Sequence, residues 1–386
     1  MENSRICIVC SQFYPIIGGT ERQVQRLAEK LTQLGQPVFV LTTRPAGALR
    51  YEVINQVPVY RSLPGGTGGG RLLSLGRTIS LVAREMYFLF RRRHQYDIIH
   101  AQQAFYLTSG AIIMAKLLRK KVIFKIGCGG ETGDLALNTQ NRAAAINFKI
   151  LRSADAFVAI SNQIEAELLA YNFAREKIVK IPNGVDMELF RPVVLEAKAE
   201  LKKKLGLPSK DIAISVTRTD RQKRLDLLLA AWNEVLKQLP DLHLVVVVSN
   251  AAAECERLTK ENYCPAESIT YKCRIDNVEQ YLQASEIFVL NSLSEGLPNA
   301  VLEAMSCGLP VIGTAIGGTT DIIIDQETGI LVEPNDTAAL ARAIIALYKQ
   351  KELRLTLAQA ATAMIRRKFA LEKIAADYRQ LYRSLK

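Results

Sequence analysis

Ile287-Phe-Val-Leu-Asn-Ser-Leu-Ser-Glu-Gly-Leu-Pro-Asn-Ala-Val-Leu-Glu-Ala-Met-Ser-Cys-Gly-Leu-Pro-Val-Ile-Gly313 reads as strand, loop, helix and strand. An apolar run predicts a strand over Ile287 to Asn291, and a second over Pro310 to Gly313. Pro298 suits the first helical position, where its missing N–H has no partner in any case, and Gly308 suits a left-handed stop. The helix between them spans 298 to 306. Glu295 then precedes the helix and Glu303 lies in its second turn. The advance from 298 to 303 is about 7.5 Å at ~1.5 Å per residue, which lets two carboxylates reach opposite ends of one extended ligand. Between them lie the first-turn amides of Asn299 and Ala300, which have no intrahelical partner and suit phosphate oxygens.

The same alternation runs in both directions from this stretch. Upstream in the second half, strands are expected at Ile212 to Thr217, Leu242 to Val248 and Ile269 to Lys272, and downstream at Gly329 to Val332. In the first half they fall at Arg5 to Cys10, Pro37 to Thr42, Val57 to Arg61, Asp97 to His100, Lys121 to Ile126, Ala156 to Ile160 and Lys177 to Ile181. Helix-length segments fit between them at Glu21 to Leu34, Arg71 to Arg93, Phe105 to Arg119, Asn141 to Arg152 and Asn162 to Tyr171. Strands alternating with helices give α/β domains with parallel sheets. A length of 386 residues exceeds what one core usually supports, so two doubly wound units in tandem are expected. Pro182, Asn183, Gly184 and Pro192 break both periodicities and mark a hinge. The expected division is 1–185, 186–365, and a last basic amphipathic helix in 366–386.

Hydrophobic content of 49% and charged content of 23% exclude a disordered or collagen-like chain. No segment approaches the ~20 apolar residues of a transmembrane helix, and Met1 to Val9 lacks a signal-peptide core. Seven cysteines, an odd number scattered through a large chain, argue against a disulfide framework. Cys7 and Cys10 form a C-x-x-C inside a strand, with no second ligand pair nearby. The expected address is the cytoplasm. Residues 1–187 hold 24 Lys and Arg against 13 Asp and Glu, whereas 188–386 hold 26 against 25. The first half therefore carries nearly all of the net +12 and should meet something anionic. The Arg71 to Arg93 segment interleaves aromatic and basic residues and suits an anionic membrane surface.

Other loops can also bind ligands. Gly18-Gly19-Thr20-Glu21-Arg22 opens a helix directly after the first strand, where backbone amides can cradle an anion. It is not a dinucleotide fingerprint, since no third glycine follows. Gly65 to Gly70 lacks the Lys-Ser/Thr of a P-loop and reads as a surface loop. Gly127-Cys-Gly129-Gly-Glu131-Thr-Gly-Asp134 follows a strand, as site loops do in open sheets. Arg218 and Lys223 leave a strand just before a helix and can both point at a diphosphate, one as a fork and the other as a point charge. Paired carboxylates alone would also fit a glycosidase, which gives no reason for the flanking phosphate features.

Taken in order, Gly18-Gly-Thr-Glu-Arg22, Asp97-Ile-Ile-His100, Ile181-Pro-Asn183-Gly-Val-Asp186, the Arg218 to Lys223 spacing, Glu295 with Glu303, Gly317-Gly318 and Phe369-Ala-Leu-Glu-Lys resemble the family 4 retaining glycosyltransferases over nearly the whole chain. The resemblance implies a GT-B fold: two Rossmann-like domains facing across a cleft, the second binding the donor, the first the acceptor, and the last helix crossing back. By position it assigns the donor diphosphate to Arg218 and Lys223, with the Gly18 and Gly19 amides opposite. Glu295 would bind hydroxyls of the transferred sugar and Glu303 those of the ribose, with Asn299, Ala300 and Arg274 completing the donor side. His100, Glu21, Gly129, Glu131 and Asn183 would line the acceptor face. Thr217 and Arg224 stand where the family has glycines, as does Cys273. Gly127 stands where an active-site histidine is frequent, which counts against a mechanism built on that imidazole.

The implied activity is transfer of a hexose from a nucleotide sugar to a hydroxyl of a glycan or lipid-linked acceptor, with retention and in cell-surface polysaccharide or glycoconjugate synthesis. No Asp-x-Asp motif is present, so neither a metal nor a cofactor is expected, and the place of action would be the inner face of the cell membrane. A sugar-nucleotide epimerase shares the architecture. A basic nucleic-acid binder would exploit Arg91 to Arg93 with Phe88 and Phe90, but leaves the acidic and glycine motifs unexplained, so no nucleic-acid partner is expected.

Overall fold

The computed structural model describes residues 3–16, 18–64, 75–104, 106–130, 133–136, 142–248 and 252–386. The glycine run 65–70, the helix start expected at 71–74, and Glu131 lie outside them. The chain forms two compact units, one of Met1–Asn183 with Leu371–Lys386 and one of Gly184–Ala370.

In the first unit the elements are β1 (Ile6–Val9), α1 (Gly19–Gln33), β2 (Val38–Arg44), β3 (Tyr51–Ile54), β4 (Val57–Pro64), α2 (Leu75–Arg91), β5 (Ile98–Gln102), α3 (Tyr106–Leu117), β6 (Lys121–Lys125), α4 (Arg142–Leu151), β7 (Ala156–Ala159), α5 (Asn162–Ala170) and β8 (Ile178–Lys180). The second unit has α6 (Leu195–Lys204), β9 (Ile212–Thr217), α7 (Leu225–Gln238), β10 (His243–Val248), α8 (Ala252–Glu261), β11 (Ile269–Cys273), α9 (Val278–Gln283), β12 (Ile287–Leu290), α10 (Asn299–Ser306), β13 (Val311–Thr314), β14 (Ile330–Val332), α11 (Thr337–Lys349) and α12 (Lys351–Lys368). The closing α13 (Leu371–Ser384) belongs to the first unit.

The sheet of the first unit runs β3-β4-β2-β1-β5-β6-β7-β8, parallel except for the β3–β4 pair. The second runs β11-β10-β9-β12-β13-β14, all parallel. Its order is that of a Rossmann domain, reversing direction between the first strand, β9, and the fourth, β12. The reversal in the first unit lies between β1 and β5. Loops leaving the carboxyl ends of those strand pairs face a crevice where ligands bind.

Burial explains why these runs became strands. Every residue of β1, β5 and β10 is buried, as expected of parallel strands covered on both faces. In α7, Leu225, Leu228, Leu229, Trp232 and Val235 recur at helical spacing and are buried against β10 and β9 residues. In α13, Leu371, Ile374, Ala375, Tyr378, Leu381 and Tyr382 form one stripe. That stripe joins a core with Val24, Leu27, Ala28 and Leu31 of α1. The two crossings between units are stitched together, since Val185 N donates to Phe369 O at 2.9 Å and bridges Ala370.

Some elements differ from expectation. β3 was not anticipated, because its edge position leaves Tyr51 and Val53 exposed and its turn uses Asn55 and Gln56 at φ 45° and 68° rather than an Asn-Gly pair. α6 and α8 are charge-rich with few buried residues, and α9 has only 6 residues. Pro298 is the N-cap of α10, with φ −74° and ψ 104°, not its first helical residue. Gly308 ends that helix as expected, at φ 79°, with Leu309 N donating to Ala304 O at 3.0 Å. No helix among the described residues is long and apolar enough to cross a membrane.

One core position carries a penalty. Glu85 of α2 is fully buried, and among the described residues neither carboxyl oxygen has a hydrogen-bond partner. It fits only because α3 presents Gly110 there: a Cβ on Gly110 would lie 2.6 Å from Glu85 Oε2. Burial raises the Glu85 pKa well above its ordinary 4.5. The unfolded chain therefore releases this proton at lower pH than the folded chain. The associated stability is intact below about pH 4.5 and is lost as pH rises toward the folded value. Glu85→Gln should raise the thermal midpoint by a few degrees near pH 8 and change it little near pH 4, measured by calorimetry. An equal shift at both values would show that the carboxyl is not held protonated.

Candidate functional site

In the second unit, the loops leaving β9 and β12 meet at the switch point. Arg224, which precedes α7, sits at φ 46°, a left-handed conformation that glycine adopts at no steric cost. This accounts for a glycine being usual there. Here the guanidinium holds the turn by bonding Asp226 at 2.9 Å and Asn335. The loop is tied to its neighbour by Leu293 N donating to Gln222 O at 2.7 Å, Gln222 Nε2 to Ser294 O at 2.6 Å and Asn291 Nδ2 to Arg224 O at 3.1 Å.

These ties bring Lys223 Nζ to 2.5 Å from Glu295 Oε1, with the Lys223 side chain 15% and the Glu295 side chain 9% exposed. Ser292 Oγ donates to the same Glu295 oxygen at 2.7 Å. Removing one partner of so enclosed a pair costs about 3–5 kcal/mol. Arg218 is more open: its side chain is 52% exposed, and its guanidinium lies 2.9 Å from Asp220 and reaches Gln222 Oε1 at 3.4 Å. Lys223 and Glu295 are thus brought into contact, and Arg218 is linked to them through Gln222 and Ser294.

Glu303 is buried in α10, whose first residues are Asn299 and Ala300. Gly318 N donates to Glu295 O at 3.1 Å, and a Cβ at Gly318 would collide with Gly296 O. This close approach requires the second glycine of Gly317-Gly318. Arg274 stands apart from this contact, exposed after β11 at φ 53°.

In the first unit, α1 begins at Gly19 with Gly18 as an extended N-cap. A Cβ at Gly18 would strike the Glu21 carboxylate, so Glu21 folds back over the positive helix end. After β6, Asp134 Oδ2 accepts from Gly127 N at 2.9 Å. Burial raises the Asp134 pKa to about 6, against the lowering effect of backbone N–H groups. A Cβ on Gly127 would lie 3.7 Å from Thr20 Oγ1 and 3.9 Å from Gln103 Cγ. The loops after β1, β5 and β6 therefore converge at one end of the sheet. Gly129 approaches Glu167, which accepts from Gly130 N at 2.7 Å.

Two residues expected on the acceptor face are enclosed instead. His100 is fully buried, with Nδ1 2.8 Å from Tyr382 Oη and Nε2 3.0 Å from Gln102 Nε2. Burial lowers its pKa to about 3, with a further contribution from Lys125. It is a neutral ring that docks α13 onto β5. Asn183 is buried and accepts from Lys125 Nζ at 2.6 Å. Burial lowers the Lys125 pKa to about 8. Cys7 and Cys10 are buried free thiols, and burial pushes Cys10 up to about 12. Sequence reasoning missed Gln222, Ser292 and Lys125, whose partners lie 58 or more positions away or depend on loop conformation.

Comparison with known proteins matches both halves. The family model described as "Glycosyltransferase Family 4" matches residues 17–189, and that described as "Glycosyl transferases group 1" matches 197–364. The chain is 24% identical to N-acetyl-alpha-D-glucosaminyl L-malate synthase of Bacillus anthracis, over 98% of this chain and 96% of that protein. It is 25% identical to D-inositol 3-phosphate glycosyltransferase of Corynebacterium urealyticum, over 95% and 91%. Among solved structures, Anabaena Alr3699/HepE in complex with UDP-glucose superposes with a TM-score of 0.81 at 16% identity, covering 99% and 100%. With two Rossmann-like units of matching fold and both family models accounted for, the chain belongs to the family 4 glycosyltransferases of GT-B architecture.

Proposed function

We propose that the protein transfers a hexose from a nucleotide-diphosphate sugar to a hydroxyl of a glycan or lipid-linked acceptor, with retention at the anomeric carbon and without a metal. The observation that carries this reading is the Lys223–Glu295 contact at the switch point of the second unit. An ammonium has three donors. Lys223 places one on Glu295, leaving two for phosphate oxygens, while Arg218 can exchange its exposed contact with Asp220 for a bidentate grip on the diphosphate. The remaining oxygen of Glu295 suits sugar hydroxyls and Glu303 suits the ribose. Arg274, after β11, is left as an outlying donor contact.

The difficult step is release of the nucleoside diphosphate. Charge that develops on the leaving oxygen is met by Lys223, Arg218 and the first-turn amides of α10, a preorganised field of the kind that carries most of the stabilisation in such reactions. The acceptor hydroxyl attacks from the side the diphosphate leaves, and its proton passes to a departing phosphate oxygen. The C1–O bond to diphosphate breaks as the new glycosidic bond forms. The basic first unit is assigned the acceptor, and a phosphorylated or lipid-linked molecule at an anionic leaflet suits its charge. The inositol phosphate in the name of the Corynebacterium relative supports a phosphorylated acceptor, and the UDP-glucose in the Anabaena complex supports the donor class. A role in cell-surface polysaccharide or glycoconjugate synthesis follows from the same reading.

Thermal denaturation against a panel of nucleotide sugars should single out one donor, which at about 100 times its Kd adds about 2.7 kcal/mol; no shift with any member would overturn the donor assignment. Arg218→Ala should lower turnover on the order of 10²-fold, and unchanged turnover would remove Arg218 from the diphosphate. Product formed from an α-linked donor should carry an α-linkage by NMR and form equally after chelation of divalent ions. An inverted linkage would refute retention, and loss on chelation would refute metal independence.

A further inference from the structure

Away from the switch points, at the sheet edge of the first unit, the β3–β4 hairpin and the second half of α2 flank an open groove of about 710 Å³. Four arginines line it, at positions 50, 84, 91 and 92, and no acidic side chain does. On α2 the lining recurs at 84, 87, 88 and 91, a single helical face, and Arg92 follows directly after the helix. The floor is aromatic and fixed: Tyr60 lies 4.9 Å from Tyr51 and 5.4 Å from Phe88 between ring centroids. Arg92 stacks 3.9 Å above the Tyr60 ring and donates to Tyr60 Oη at 3.1 Å and Gln95 Oε1 at 2.7 Å, so its position is set. Arg50, Arg84 and Arg91 are exposed, and no carboxylate pairs with them among the described residues.

Converging cations without counter-charge repel one another, and an anion relieves that cost. The surroundings restrict which anion. Tyr51, Val53, Ile79, Tyr87 and Phe90, on the same hairpin and helix, are 47–65% exposed. A soluble phosphate ester gives these apolar side chains nothing to cover them. A bilayer does, since aromatic rings settle at the headgroup level while arginines meet the phosphates.

We propose that this groove binds the phosphoryl headgroup of an anionic phospholipid and seats the β3–β4 edge of the first unit on a membrane. The proposal deepens the acceptor-side reading above and rests on it only for its biological purpose. The groove differs from a diffuse basic surface in gathering four arginines over packed aromatic rings, so removal of its arginines should matter more than removal of equal charge elsewhere.

The test is flotation of the full chain with phosphatidylcholine vesicles, with and without about one third phosphatidylglycerol. Binding is expected only with the anionic lipid. The double variant Arg84→Gln/Arg91→Gln should lower partitioning about thirtyfold, the conversion of ~1 kcal/mol per arginine. Tyr87→Ser should also lower it. Arg119→Gln/Lys121→Gln, an equal charge change at exposed positions outside the groove, should lower it much less. All variants should keep the thermal shift with the nucleotide sugar, which separates this site from the donor site. Equal binding to both vesicles, or equal loss in the two double variants, would overturn the proposal. So would inorganic pyrophosphate stabilising the wild type but not Arg84→Gln/Arg91→Gln when no vesicle binding is seen, which would make the ligand a free phosphate.

Discussion

A carboxylate withdrawn from water must take up a proton or meet a cation or other donor, and in the second unit the meeting of carboxylate and cation joins two loops that leave different strands. Glu295 follows β12 and Lys223 follows β9, and their 2.5 Å contact forms where the strand order reverses. The surrounding hydrogen bonds through Gln222, Ser292 and Asn291 hold that contact in one geometry. Charged groups held in one geometry need little reorganisation when charge develops beside them.

The glycines serve the same end by allowing backbone to approach backbone. Gly318 accepts the Gly296 carbonyl where any Cβ would collide, and Gly110 leaves room for the buried Glu85. Where a side chain replaces the expected glycine, as at Arg224, the left-handed turn survives because Asp226 and Asn335 bind the guanidinium. Gly127, in place of a histidine, lies among Thr20, Gln103 and Asp134, and the acidic groups against that loop are Asp134 and Glu167.

The first unit keeps several polar groups inside its core. His100 with Tyr382, Lys125 with Asn183, and Glu85 without a hydrogen-bond partner among the described residues are all enclosed. Two of the three fix elements: the ring docks the last helix, and Lys125 holds the end of the segment that leads to the second unit. Part of the basic excess gathers at the β3–β4 edge, over aromatic rings.

The strand–helix alternation, the fully apolar parallel strands, the Pro298 and Gly308 limits of α10 and the amphipathic stripe of α13 were legible in the chain, because local periodicity and backbone preference encode them. So was the placing of Arg218, Lys223 and Glu295 in loops that leave strand ends, and of Glu303 in the helix that follows. The sequence could not say that Lys223 meets Glu295 while Arg218 stays half exposed, or that His100 is fully buried against Tyr382 of α13. It also could not reveal the hairpin of β3, whose turn lacks a glycine, or the gathering of Arg50, just before β3, with Arg84, Arg91 and Arg92 of α2 and its end into one groove. Those facts depend on which distant groups share a neighbourhood and how much water remains there, and only the tertiary structure decides that.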